Sequence, residues 1–157
     1  MSESDNWRNI DVKRESNHRA LEMLLVSGND SMFTLLKDLM VFAASVGYSK
    51  GDRTPLNGET QGITLFTYSN DGKDGYIYLF GLLESQNGEC LKMENLRDTV
   101  KIYEEFCNTG LYEIQSWLDG NPSDPTGTDT ILQKMLDKIT EVQEASVIDP
   151  GGIEIEI

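Results

Sequence analysis

The stretch Phe33-Thr-Leu-Leu-Lys-Asp-Leu-Met-Val-Phe-Ala-Ala-Ser-Val-Gly-Tyr48 carries polar side chains only at Thr34, Lys37, Asp38 and Ser45. A helix over Met32 to Val46 is therefore apolar around nearly its whole circumference, and such a helix belongs in the middle of a packed domain. Gly47 is placed to take the left-handed conformation that ends a helix, and Lys50, Arg53 and Pro55 follow in a connection that does not continue it. The stretch predicts a mainly helical fold built around one buried helix. The glycine- and base-containing loop after it reads either as an ordinary helix stop or as an anion contact.

Working outward, residues 1–13 are polar with scattered apolar positions and read as a flexible N-terminal arm. Helical periodicity begins at Arg14, with Ala20, Leu21, Leu24 and Leu25 on one face and Gly28 as a stop; Asn29-Asp30-Ser31 then offers caps for the central helix. Ile63 to Tyr68 is β-branched and aromatic between Gly62 and Ser69-Asn-Asp-Gly72, the signature of a short strand and turn. Tyr76 to Leu83 has helical spacing and is read as helix, with hairpin pairing to the preceding strand as the alternative. Leu96 to Leu118 is the clearest amphipathic helix, and Gly110 inside it costs roughly 1 kcal/mol relative to alanine, so that either another backbone passes close or the helix breaks there. After a Gly/Pro/Asn loop, Thr128 to Thr130 can cap a last helix to about Glu144, with Ile131, Leu132, Met135, Leu136, Ile139 and Val142 expected inward. The expected fold is mainly α (α+β): a compact bundle of four to five helices with a small β-hairpin or strand pair, a single domain over 14–145 and an acidic C-terminal tail over 146–157.

That tail ends Ile153-Glu-Ile-Glu-Ile157, whose period of two suits a strand with one buried face. It is open to pairing within the chain, to disorder, or to addition onto a partner's sheet. A chain of 157 residues can bury roughly two-thirds of its unfolded surface in one core. The longest apolar run is far shorter than a membrane span, two cysteines make no disulfide framework, and no secretory signal is evident, so a reducing cytoplasmic location is expected.

The net charge of −14 is unevenly placed: residues 1–103 hold 15 acids and 11 bases, residues 104–157 hold 12 acids and 2 bases. An acidic C-terminal third repels phosphate backbones, so direct nucleic-acid binding is not expected, and it attracts basic partners or imitates DNA; simple solubility is the plainer reading.

The search for chemistry finds little. His18 is the only histidine, Cys90 and Cys107 lack a CxxC arrangement, and Cys107 falls on the apolar stripe of its helix as core. Gly47 to Arg53 matches no phosphate-binding glycine pattern. Lys50 and Arg53 form a small basic spot, either a solvated loop or a contact. Glu104 and Glu105 fit no calcium loop and read as a solvated helix face. No catalytic, metal or cofactor site is expected.

Taken as a set, Phe33-x4-Asp38-Leu-Met-Val-Phe42-Ala-Ala-x2-Gly47-Tyr48, Arg53-x-Pro55-Leu56 and Ile102-Tyr-Glu-Glu-Phe-Cys-Asn-Thr-Gly110-Leu resemble the small Dnd (DNA phosphorothioation) system-associated proteins, the member numbered fourth, over most of residues 31–118. The resemblance implies a bacterial accessory protein of a phosphorothioation-linked or similar anti-phage system, with no catalytic residues to carry over. The expectation is a non-enzymatic subunit that binds a protein of a defence complex through an acidic surface, with Glu104, Glu105, Glu154 and Glu156 as contacts and Lys50 and Arg53 beside them. A DNA-mimic inhibitor of a nuclease or repressor is the alternative, and an enzyme with a Lys50/Arg53 anion site is a third reading.

Overall fold

The computed structural model describes residues 3–148. Two strands and six α-helices follow in the order β1 (Asp11–Glu15), α1 (Arg19–Val26), α2 (Leu36–Lys50), β2 (Thr60–Thr64), α3 (Leu65–Asn70), α4 (Asp74–Ser85), α5 (Leu96–Asp119) and α6 (Thr128–Ile148), with 3-10 turns between some of them. The fold is mainly α with one antiparallel strand pair, as the sequence predicts.

The two central helices meet without side chains between them. A Cβ at Gly110 of α5 would lie 1.7 Å from the Ala43 carbonyl oxygen, and a Cβ at Gly47 of α2 would lie 2.1 Å from that of Phe106. No real Cβ contact is so short, so both positions admit only glycine as the helices stand. Of the two explanations for Gly110, the close backbone holds and α5 runs unbroken. The Cys107 thiol donates to the Met40 carbonyl at 3.2 Å across the same crossing. Around it pack Leu39, Met40, Tyr68, Ile77, Tyr103 and Leu111, all at or below 1 % exposure.

This use of Gly47 corrects its reading as a helix stop. α2 continues one turn further and ends at Gly51, whose φ of 77° is left-handed and whose N–H donates to the Gly47 and Tyr48 carbonyls. The start differs as well: Leu35 precedes α2 in extended backbone with no side-chain cap, and Ser31 instead donates to the Phe33 carbonyl.

The first helix does not begin at Arg14. Asp11–Glu15 is β1, paired antiparallel with β2 so that Val12 faces Ile63 and Glu15 faces Thr60. The body of the chain therefore starts inside the segment read as an arm, and α1 is confined to Arg19–Val26. β2 in turn lies three to four residues earlier than the expected strand. Thr64 ends it, since its hydroxyl accepts from the Thr67 N–H and caps α3, turning Leu65–Asn70 into helix. Residues 76–83 lie in α4.

The last helix departs most. Asp124 caps it, its carboxylate accepting from the Thr130 N–H at 2.8 Å and hydroxyl at 2.7 Å. Ile131 is fully buried, but Leu132, Met135, Leu136, Ile139 and Val142, expected inward, are 41–57 % exposed. The periodicity is amphipathic, but among the described residues no surface covers it. The tail from Asp149, including the alternating isoleucines, lies outside the described residues.

Gly110→Ala is expected to lower the unfolding free energy by about 3 kcal/mol or more in urea denaturation, the upper end of overpacking costs. Gly75→Ala, at a helical site with nothing within 4 Å, is the control and is expected to be neutral or stabilising by about 0.5 kcal/mol. Similar losses at both sites would contradict the close crossing.

Candidate functional site

β1 reaches α5 through a buried carboxylate. The strand alternates exposed and buried residues until Arg14, and the turn at Ser16–His18 then tucks Glu15 inside as well, at 2 % exposure. Its Oε1 accepts from the Asn57 N–H at 2.7 Å and the Asn108 amide at 3.0 Å, and its Oε2 accepts from the Tyr112 hydroxyl. Because the Asn108 amide nitrogen faces Glu15, its Oδ1 is left to accept, and His18 Nε2 donates to it at 2.8 Å. His18 also stacks edge-on against Tyr112, with ring centroids 4.6 Å apart. Burial on its own would raise the Glu15 pKa, but the donors Tyr112, Asn57 and Asn108, with His18 nearby, hold it below the ordinary carboxylate value. These groups already have partners, and together they clasp β1, the 52–59 connection and α5.

The residues singled out in the sequence are dispersed over the body. Glu105, read as solvated, is 7 % exposed, with Arg53 at 3.5 Å and Lys101 at 3.9 Å; the same Arg53 lies 3.5 Å from Glu84 of α4. Glu104 is half-buried and accepts from the Lys13 backbone N–H at 2.9 Å, closing the free edge of β1; desolvation pushes its pKa up. Both carboxylates thus have interior work, because the face of α5 that carries them meets β1 and the 52–59 connection rather than water. Lys50 pairs with Glu113, which also accepts from the Trp117 indole at 3.0 Å. The Lys50 ammonium and the indole together hold the Glu113 pKa down. Lys50 and Arg53 therefore form no shared basic spot. Glu154 and Glu156 lie outside the described residues.

What the structure does expose is α6. From Leu132 to Ser146 every residue is exposed. At 100° per residue, Leu132, Met135, Leu136, Ile139 and Val142 share one side, while Asp137, Glu141 and Glu144, spaced i, i+4, i+7, share the other. Between α6 and the body runs a groove of about 520 Å³, walled by Phe42 and Val46 of α2, Trp117 of α5, and Met135 and Ile139 of α6, with Lys134 and Lys138 along it and Glu113, Asp137 and Glu141 at its polar border. A second, polar cleft of about 460 Å³ opens beside Lys13, Arg97, Lys101 and Glu104.

Set against known protein families, the sequence matches the family described as DNA sulphur modification system-associated protein 4 over residues 11–149. The chain belongs to that family. No curated protein and no solved structure matches it. The family match begins at the first residue of β1 and takes in the whole of α6, so it reaches well beyond the 31–118 span of the resemblance seen in the sequence motifs. Among the described residues of this DNA sulphur modification system-associated protein, no helix is long and apolar enough to cross a membrane.

Sequence reasoning missed Glu15, Asn108 and Tyr112 in this family member. No local signal marked them: at 100° per residue Asn108 falls outside the apolar stripe of α5, among its polar positions and one turn from Tyr112, and it is buried by β1 and the 52–59 connection, whose Glu15 and Thr54 its amide meets. Glu15 lay hidden because its segment read as helix onset.

Glu15 has a lowered folded pKa, so the stability it contributes is fully present above the unfolded value near 4.5 and is lost as pH falls through the folded value. Glu15→Gln is expected to cost about 1–3 kcal/mol at neutral pH. Its deficit relative to the parent chain should shrink as the pH is lowered below 4.5 in thermal or urea unfolding. A gap independent of pH would show that the Glu15 charge is not what the clasp uses.

Proposed function

We propose that this protein is a non-enzymatic interaction subunit of a bacterial DNA sulphur modification system acting in anti-phage defence, and that it binds a basic, DNA-handling protein of that system through the acidic side of α6. The carrying observation is the exposed row Asp137, Glu141 and Glu144, in a chain third that holds 12 acids against 2 bases. Glu154 and Glu156 follow on the same chain and extend that charge. Carboxylates so presented speed the encounter with a positive surface and make it salt-sensitive, more than they add affinity.

The non-enzymatic reading is supported by how the reactive side chains are used. His18 is tied to Asn108, and Cys107 is enclosed beside Met40, where burial pushes its thiol pKa far up and leaves the weakly nucleophilic thiol form. Arg53 is spent on two carboxylates of the chain itself, which argues against an anion site there. The apolar side of α6, back to back with its acids, favours a protein interface over imitation of a DNA groove, where apolar stripes have no counterpart.

Co-expression of the tagged chain with the modification and restriction proteins encoded beside it is expected to yield a stoichiometric complex with one of them. Raising salt and the double change Glu141→Lys/Glu144→Lys should each weaken that complex, the latter by about tenfold or more. A complex indifferent to both would remove the acidic side from the account, and failure of every neighbouring product to bind would overturn the interaction reading.

A further inference from the structure

The apolar side of α6 is a separate matter from its acids. Leu132, Met135, Ile139 and Val142 follow each other at intervals of three, four and three residues, the spacing of a seam that interlocks with another helix of its own kind. Leu136 widens that seam near its middle. The five side chains are 41–57 % exposed, on a helix whose buried residues are in its first turn, at Thr130 and Ile131. A contiguous apolar stripe of this extent marks an interaction surface, since single exposed leucines need no explanation but an ordered row does.

We propose that α6 is a dimerisation element, its stripe covered by the antiparallel α6 of a second copy. Charge supports this occupant. The chain as a whole is strongly negative, so two copies approach only where acids are absent, and the acids of α6 are placed on the side opposite the seam. A basic partner would be drawn to that other side instead. The antiparallel sense follows from the helix dipoles, which offset each other in that arrangement and add in a parallel pair. In that arrangement Leu132 meets Val142 of the other copy, Met135 meets Ile139, and the two Leu136 residues lie next to the dyad.

Size supports it too. Two such stripes of five half-exposed apolar side chains remove on the order of 1,000 Å² from water, where specific interfaces begin. A dimer in reversible equilibrium is the expected form. The inference goes beyond the acidic-partner reading and does not rest on it.

Sedimentation equilibrium of the purified full chain tests it. The parent chain is expected to run as a concentration-dependent dimer. Ile139→Asp and Val142→Asp, each at an exposed helical site and checked by circular dichroism for an intact fold, should raise the dimer dissociation constant by about tenfold or more. Glu141→Lys/Glu144→Lys, on the opposite side, should leave the dimer in place while weakening the acidic-partner complex, which separates the two proposals. Both native cysteines are buried, so an introduced thiol reports orientation: Leu136→Cys should form a disulfide-linked dimer under mild oxidation and Leu132→Cys should not. A monomer at all concentrations, including one whose α6 is covered by the chain's own C-terminal residues, or a dimer unaffected by both Asp changes, overturns the proposal; cross-linking through Leu132→Cys overturns the antiparallel sense.

Discussion

The absence of two Cβ atoms, at Gly47 and Gly110, is the constraint on which the rest of the structure depends. It lets α2 and α5 touch backbone to backbone, so that the Ala43 and Phe106 carbonyls occupy space a side chain would otherwise need. Because the helices lie so close, their flanking apolar residues reach one another in tight layers, and α2 can be apolar on nearly all sides without leaving grease in water. The same approach fixes where α5 presents its polar residues. Asn108 and Tyr112 are thereby brought under β1, where Glu15 joins them, and Glu105 is brought to Arg53.

A division of labour among charged groups follows from that frame. Glu15 of β1 and Glu104 and Glu105 of α5 are consumed internally, as clasp, strand-edge acceptor and ion-pair partner. The acids of α6 from Asp137 onward are exposed, Glu141 with Lys138 beside it at 3.5 Å. A net charge read from the chain as a whole therefore overstates the surface field near the core and locates the usable part of it on one projecting helix. That helix also holds a row of exposed apolar side chains, so one element offers two chemically distinct sides.

Much of this was legible in the sequence. The buried character of α2, the amphipathic α5, the close-contact option at Gly110 and the mainly helical class all follow from periodicity and composition, which report how a segment meets its surroundings. What was hidden depended on pairing across distance. Asp11–Glu15 is a strand only because Thr60–Thr64 lies beside it, and nothing in Asp-Val-Lys-Arg-Glu announces that neighbour. Gly47 reads as a terminator from local preference, while its actual role is set by Phe106, far along the chain. The stripe on α6 was correctly seen as amphipathic, yet amphipathicity states that a face wants cover and not that this chain provides it. Glu104 and Glu105 read as solvated for the corresponding reason: charge patterning does not tell which side of a helix another element will close.

Native-state hydrogen exchange tests the governing role of the crossing most directly. If the backbone contact at Gly47 and Gly110 holds the fold together, the amides from Met40 to Gly47 and from Tyr103 to Leu111 will exchange only through one common opening, with the free energy of complete unfolding. Protection in α2 that is lost at a lower free energy than protection in α5, or the reverse, would mean that the two helices separate without unfolding the domain and would contradict the account.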